Sequence, residues 1–323
     1  MRSHAYPGVV VTGTGVILPG ADRPEAVTAG RGEHAEPVDP TRTLGRGGRP
    51  RGLRYKDRAT QLAYCAADAA LTDAGLLTDG DLTVPSHTVG VVVSSNTGNL
   101  DTVVRVVDTL RAGTTDALSP MDLPKVSCNV VASSVAIKYG LRGPNLMICN
   151  GTTSGLDAVR WAATMLETGR LTRAVVLGVE PDTAPTRTLL NGAPPLDGAV
   201  ALVVEDTASA TARGARVLAR VGGHARGTGI AECVAALSAV NPTPPVAWQV
   251  PGRTVPEEVL PGVPRNDLTT AWGPGSGALG VLQCVAAVGA FATGATGAIY
   301  ATAGDDDHDA TAGLVLTPPS DSR

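Results

Sequence analysis

An α/β fold built of stacked sheet and helix layers is what this 323-residue chain predicts, and three observations carry it. Short apolar runs rich in β-branched residues alternate with longer stretches of helical periodicity. The alternation recurs in the second part of the chain, and 43% hydrophobic residues supply enough apolar surface for a large core. Taken in order, residues 9–12, 89–95, 146–149, 174–179 and 200–204 read as buried strands, since each is a short apolar run bounded by turn residues. Residues 58–75 carry apolar side chains at helical spacing and end on Gly75, a helix stop. Residues 99–112, 125–139 and 154–169 read as further helices. After residue 205 the same logic gives strands at 216–221, 246–250, 299–302 and 313–316, and a helix at 276–292.

Composition excludes several classes of function. A formal net charge of −4 and a pI near 5.7 argue against a nucleic-acid partner. No apolar run is long enough to span a bilayer and the first residues carry no signal-like stretch, so a cytoplasmic, membrane-free protein is expected. The five cysteines (Cys65, Cys128, Cys149, Cys233, Cys284) fall in apolar runs without metal-ligand spacing and read as small core thiols, Cys149 among them. The five histidines (His4, His34, His87, His224, His308) form no triad or ligand pattern and read as surface or loop residues. Asp305, Asp307 and Asp309 alternate as Ca²⁺ ligands can, but the loop lacks the Gly and distant Glu of an EF-hand, so an acidic turn is favoured. Gly13-Thr14-Gly15 could open a dinucleotide fingerprint, yet Leu18 fills the third glycine position and no acidic residue closes a second strand. No metal and no cofactor are expected.

The informative stretch is 140–155. Gly140-Leu141-Arg142-Gly143-Pro144, the apolar run 146–149, then Asn150-Gly151-Thr152-Thr153-Ser154-Gly155 read as turn, strand, elbow and helix start. It resembles the active-site elbow of the β-ketoacyl synthases, condensing enzymes of the thiolase fold, whose nucleophilic Cys sits at the helix N-terminus. This chain has Thr152 in that slot. A helix N-terminus lowers a thiol's pKa enough to give a thiolate, whereas an alcohol also needs an adjacent base. The resemblance extends to 9–16, 57–76, 89–95, 198–205 and 212–216. It implies two duplicated layered halves, 1–195 and 196–323, the second shortened.

The resemblance also implies two catalytic histidines and a lysine, and each slot holds something else. Pro251 and Pro274 stand where the histidines belong, and Thr269 replaces the lysine. Proline has no proton to exchange. No histidine lies between 225 and 307, and the family's Gly-Phe-Gly-Gly loop is replaced by 304–309.

This pattern resembles the chain-length factors, the ketosynthase β subunits of type II polyketide synthases. They have lost the Cys, pair with an active ketosynthase α subunit, and line a shared tunnel. The family's usual replacement for the Cys is Gln, so Thr152 marks a divergent member. The resemblance implies a heterodimer with a ketosynthase α subunit and an acyl carrier protein bearing a phosphopantetheine-tethered chain. The Arg residues at 42, 46, 49, 51, 54 and 58 form either a solvated loop or a docking patch for that acidic carrier. A tunnel gate would fall on Asn99, Thr102 and Val106, which share one helical face; the competing reading makes Asn99 an N-cap and Val106 a packing residue. A thiolase-fold scaffold outside polyketide assembly, or an acyltransferase or hydrolase using Thr152, are the alternatives.

Overall fold

The computed structural model describes residues 2–6, 8–32, 35–44, 52–113, 115–252, 255–305 and 310–319. The strands are β1 (Arg2–Ala5), β2 (Val9–Ile17), β3 (Leu77–Thr78), β4 (Asp81–Leu82), β5 (Val89–Ser94), β6 (Asn145–Ile148), β7 (Arg173–Glu180), β8 (Gly198–Asp206), β9 (Ala219–Gly227), β10 (Ala247–Gln249), β11 (Arg265–Asn266), β12 (Ile299–Asp305) and β13 (Ala310–Thr317). The α-helices are α1 (Pro40–Leu44), α2 (Arg58–Asp73), α3 (Leu100–Ala112), α4 (Val130–Tyr139), α5 (Ser154–Glu167), α6 (Ala184–Leu189), α7 (Thr207–Ala212), α8 (Ile230–Val240), α9 (Leu268–Trp272) and α10 (Leu279–Ala292).

Five layers result. The strands β6-β5-β7-β8-β2 form one half of a sheet and β9-β13-β12-β10-β11 the other, joined where β2 pairs with β9. On β7, Val176 faces the inside while Val175, Leu177 and Val179 face the other way. All four are buried, which is why these strands read as continuous apolar runs and not as alternating ones. Helices α5 and α10 fill the space between the half-sheets, α2 and α4 cover the outside of the first, and α8 covers the outside of the second. We propose two halves meeting after Pro195 in the sequence, with β8 reaching back between β2 and β7.

The glycines of the suspected dinucleotide motif have a packing explanation. A Cβ on Gly13 would stand 2.6 Å from the Ala70 carbonyl oxygen, and one on Gly15 would stand 2.1 Å from that of Ala66. They let α2 lie directly on the backbone of β2.

Three expected elements differ. The helix expected over 125–139 is broken: Leu123–Val126 is a 3₁₀ turn and α4 begins only at Val130. The Asn99 amide Nδ2 donates to the carbonyls of Lys125 and Val126, at 3.3 and 2.9 Å, which takes acceptors a continuous helix would use. The strand expected at 216–221 starts at Ala219, where it first pairs with Val11. The helix expected from 276 opens as a 3₁₀ turn, Ser276–Ala278.

Candidate functional site

The elbow is built as its sequence suggests. Strand β6 ends at Ile148, Gly151–Thr153 makes a 3₁₀ turn with Gly151 at φ 86°, and α5 starts at Ser154. Thr152 is half-buried, and its hydroxyl makes no hydrogen bond among the described residues. The turn is locked by its neighbours. The Ser154 hydroxyl bonds the Asn150 side-chain oxygen and the Gly151 carbonyl, both at 2.7 Å. The Asp157 carboxylate, fully buried one turn into α5, accepts from Thr153 Oγ1 at 2.9 Å, Asn150 Nδ2 at 2.8 Å and Arg226 Nη1 at 2.8 Å.

Asn96, just past β5, ties this elbow to the second half. Its Nδ2 donates to the Gly151 carbonyl at 2.9 Å and to Ser276 Oγ at 2.8 Å. Ser276 itself sits at φ 40°, a left-handed position rarely taken by residues with a Cβ. Beneath it, Glu180 at the end of β7 is 1% exposed and has no cation bonded to it among the described residues. It accepts from the backbone N–H of Asn96 at 2.7 Å, Thr97 at 3.1 Å and Gly277 at 2.9 Å, and from the hydroxyls of Ser95 and Thr97. Burial pushes this carboxyl above its usual range, against those donors. Glu180 therefore pins the loop after β5 to the start of the 276–278 turn.

The four altered slots fall into two neighbouring pairs. The turn following Pro274 packs on the elbow that carries Thr152. Pro251 is buried, and a Cβ on the next residue, Gly252, would stand 2.5 Å from Thr269 Cγ2, so these two slots adjoin. Thr269 spends its hydroxyl on the N-cap carboxylate Asp267, at 2.7 Å. Gly304, where the family's Phe loop would be, has its backbone against Thr153; residues 306–309, including Asp307, His308 and Asp309, lie outside the described residues. No side chain hydrogen-bonded to the elbow is a His or Lys among the described residues, and Asp157, the carboxylate bonded to it, takes its three donors on Oδ2.

Sequence reasoning missed Asn96, Asp157, Glu180 and Ser276. Glu180 had a signal, a carboxylate closing the apolar run 174–179; Asp157 had none, since α5 also carries Arg160 and Glu167. Two readings of the cysteines need correction. Cys149 lies beyond the end of β6 and is exposed, as is Cys128; only Cys65, Cys233 and Cys284 are buried. The reason is topological, because β6 is an edge strand and leaves that side of the chain uncovered. Cys149 is no substitute nucleophile: partial burial, with Cys128 and Glu180 adding to it, pushes its thiol up to about 11. His224 also differs from expectation, being 4% exposed within β9.

Of the suggested gate residues, Thr102 is buried, Val106 is half-buried, and α3 rests mainly on α6 and the Leu123–Val126 turn. Asn99 does precede α3, but its side chain makes no cap bond. Among the Arg-rich segment, 45–51 lie outside the described residues, and Arg58 is committed to Asp197 through bonds of 3.1 and 2.9 Å.

The free edge of β6 is the other feature of this region. β5 is its only strand partner among the described residues. Ile137 on α4, which packs on β6, is 81% exposed, and Leu123 and Val126, on the turn that α4 touches, are 52% and 37% exposed. Val131, also on α4, is buried by the chain itself.

Comparison with known proteins agrees with this geometry. Residues 31–193 match the β-ketoacyl synthase N-terminal domain. A granaticin polyketide β-ketoacyl synthase 1 from Streptomyces violaceoruber is 30% identical over 266 residues, 67% of this chain and 62% of that protein. The tetracenomycin polyketide synthase ketoacyl synthase alpha subunit of Streptomyces glaucescens is 33% identical over 202 residues, 53% of this chain and 45% of its own length. The chain thus spans about half to three-fifths of these relatives. The ishigamide ketosynthase/chain length factor structure superposes with a TM-score of 0.77 at 22% identity, covering 96% of this chain and 99% of that one. A type II polyketide synthase acyl carrier protein in complex with its ketosynthase gives a TM-score of 0.77 at 17% identity, covering 97% and 99%. The fold is therefore the thiolase fold of the ketosynthases. The chain belongs to the β-ketoacyl synthase family.

Proposed function

We propose that this chain is a non-catalytic ketosynthase-like subunit that pairs with an active ketosynthase and shapes the tunnel in which a carrier-bound polyketide chain grows. The observation that carries the reading is the elbow: its shape is kept, while among the described residues no His or Lys is hydrogen-bonded to it and prolines fill both histidine slots. The open β6 edge with Leu123, Val126 and Ile137 supports a partner subunit, since an uncovered edge strand beside apolar side chains is a liability in an isolated chain.

The test is acylation. Incubated with an acyl thioester, the purified chain is expected to keep its intact mass, and Thr152→Cys is expected to show no condensing turnover, because no base or carbanion stabiliser returns with the thiol. An acyl adduct on Thr152 would instead favour an acyltransferase or hydrolase.

The tunnel gate is part of the same proposal. Thr102 and Val106 lie on one face of α3, a helix that packs on the turn carrying the exposed Leu123 and Val126. In a reconstituted complex, Thr102→Phe or Val106→Phe is expected to shorten the product without preventing assembly. Unchanged product length in an intact complex would remove α3 from the tunnel wall.

A further inference from the structure

A second site lies away from the elbow, in a cleft between β1, β9 and the C-terminal half of α5. Strand register puts His4 directly opposite His224, so the two side chains project from the same face. Arg226, two residues on in β9, shares that face. Arg160, Thr164 and Glu167 lie at helical spacings of four and three on α5 and look back at the strands. Together with Tyr6 and Thr168 they line a half-open cleft of about 410 Å³.

Its polar groups are incompletely satisfied. His224 is 4% exposed, lines the cleft, and its Nε2 is buried with no hydrogen-bond partner. The Nε of Arg160 is likewise buried and makes no hydrogen bond, standing 3.5 Å from Asp157 Oδ1. Arg160 and Arg226 share that one carboxylate, and Glu167 is the second carboxylate at the cleft. Glu167 is held by His4 at 2.8 Å. Buried donors without partners are costly, and a ligand that supplied acceptors here would recover that cost.

We propose that this cleft binds a compact oxyanion, a carboxylate or a phosphate group, through Arg160, Arg226 and His224. Guanidinium groups match the flat, paired oxygens of such anions. The Thr164 and Tyr6 hydroxyls, 3.4 Å from one another, are further donors at the wall. The two histidines and Glu167 do not make this a metal site: two guanidinium groups share the space, and among the described residues no three His, Cys, Asp or Glu side chains are arranged to hold an ion. The electrostatics agree. Burial, then the charge of Arg160, push His224 down to about 4; Asp157 opposes this, while Arg226 and His4 add to it. A bound anion would therefore raise the His224 pKa.

Titration calorimetry of the full chain, with its partner subunit if the two copurify, tests this with inorganic phosphate and acetate as separate probes. One saturable site per chain is expected, with Arg160→Gln weakening it by about ten-fold or more and Thr164→Val by a few-fold. Thr164→Val guards against the case in which loss of Arg160 disturbs folding, and NMR should show one histidine titrating higher when phosphate is present. Tighter phosphate binding identifies a phosphorylated ligand, and comparable acetate binding a carboxylate. No saturable binding by either probe, or binding unchanged in both variants, overturns the proposal. Stoichiometric zinc binding that is lost in His4→Gln, with no anion bound, overturns it as well.

Discussion

Glu205→Gln is expected to lower the free energy of unfolding by about 3–5 kcal/mol, the usual cost of removing one partner from a buried ion pair. Glu205 is fully buried at the end of β8 and binds two arginines at once. Arg173 Nε donates at 3.2 Å and Arg213 Nε at 3.0 Å, with a second bond from Arg213 Nη2. Thr12, at the bulge where the β2–β8 register shifts, donates its hydroxyl at 2.6 Å. The glutamine would leave the nearly buried Arg173 facing a neutral amide in the middle of the first half-sheet. Burial raises the Glu205 carboxyl, but the bonds from Arg213, Thr12 and Arg173 outweigh it and hold it below its ordinary value. A carboxylate with a lowered folded pKa contributes stability that is fully present above the unfolded value of about 4.3 and is lost as pH falls through the folded one. Urea unfolding of the wild type and variant should therefore differ most near neutrality, with the gap narrowing below pH about 4. A gap that widened in acid would contradict this ion-pair account.

The second large effect is steric. Helices α5 and α10 touch through reciprocal glycines: a Cβ on Gly280 would stand 2.3 Å from Leu156 N, and one on Gly155 would stand 2.6 Å from Gly280 N. Both obstacles are backbone, so no side chain can move aside. Gly280→Ala is expected to cost about 3 kcal/mol, the upper end for over-packing, and Gly280→Val more. Because Gly155 is the second residue of α5, the strain falls on the elbow itself. Thermal unfolding measures it, and a Gly280→Ala protein melting with the wild type would mean that the two helices are not in backbone contact.

What was legible in the sequence follows from what makes an element periodic. Strands β5, β7 and β8 are buried on both faces, so their valine runs stand out without tertiary knowledge. Helix α8 shows Ile230, Cys233, Val234 and Leu237 buried at helical spacing, a signal present in the sequence although no helix was expected there. Helices α6, α7 and α9 are five or six residues long, too short for periodicity to register. The elbow was readable because its glycines and small residues are dictated locally. The polar stitching around it was not, since Asn96, Glu180 and Ser276 come together from three distant segments. The break before α4 depends on Asn99, 26 residues away from Lys125, and a local pattern cannot report such a partner. His224 was misread because a histidine in a run of small residues looks exposed until β1 and α5 close over it.

The most direct test of the account is reconstitution of condensing activity from separate subunits. This chain, an intact ketosynthase subunit and a loaded acyl carrier protein are combined, and ketoacyl product is measured by mass spectrometry. The account predicts a one-to-one complex that elongates the chain, continued product when Thr152 is replaced by Ala, and none when the partner's nucleophilic cysteine is replaced. Product formed by this chain alone, or by a complex whose partner lacks that cysteine, would contradict it.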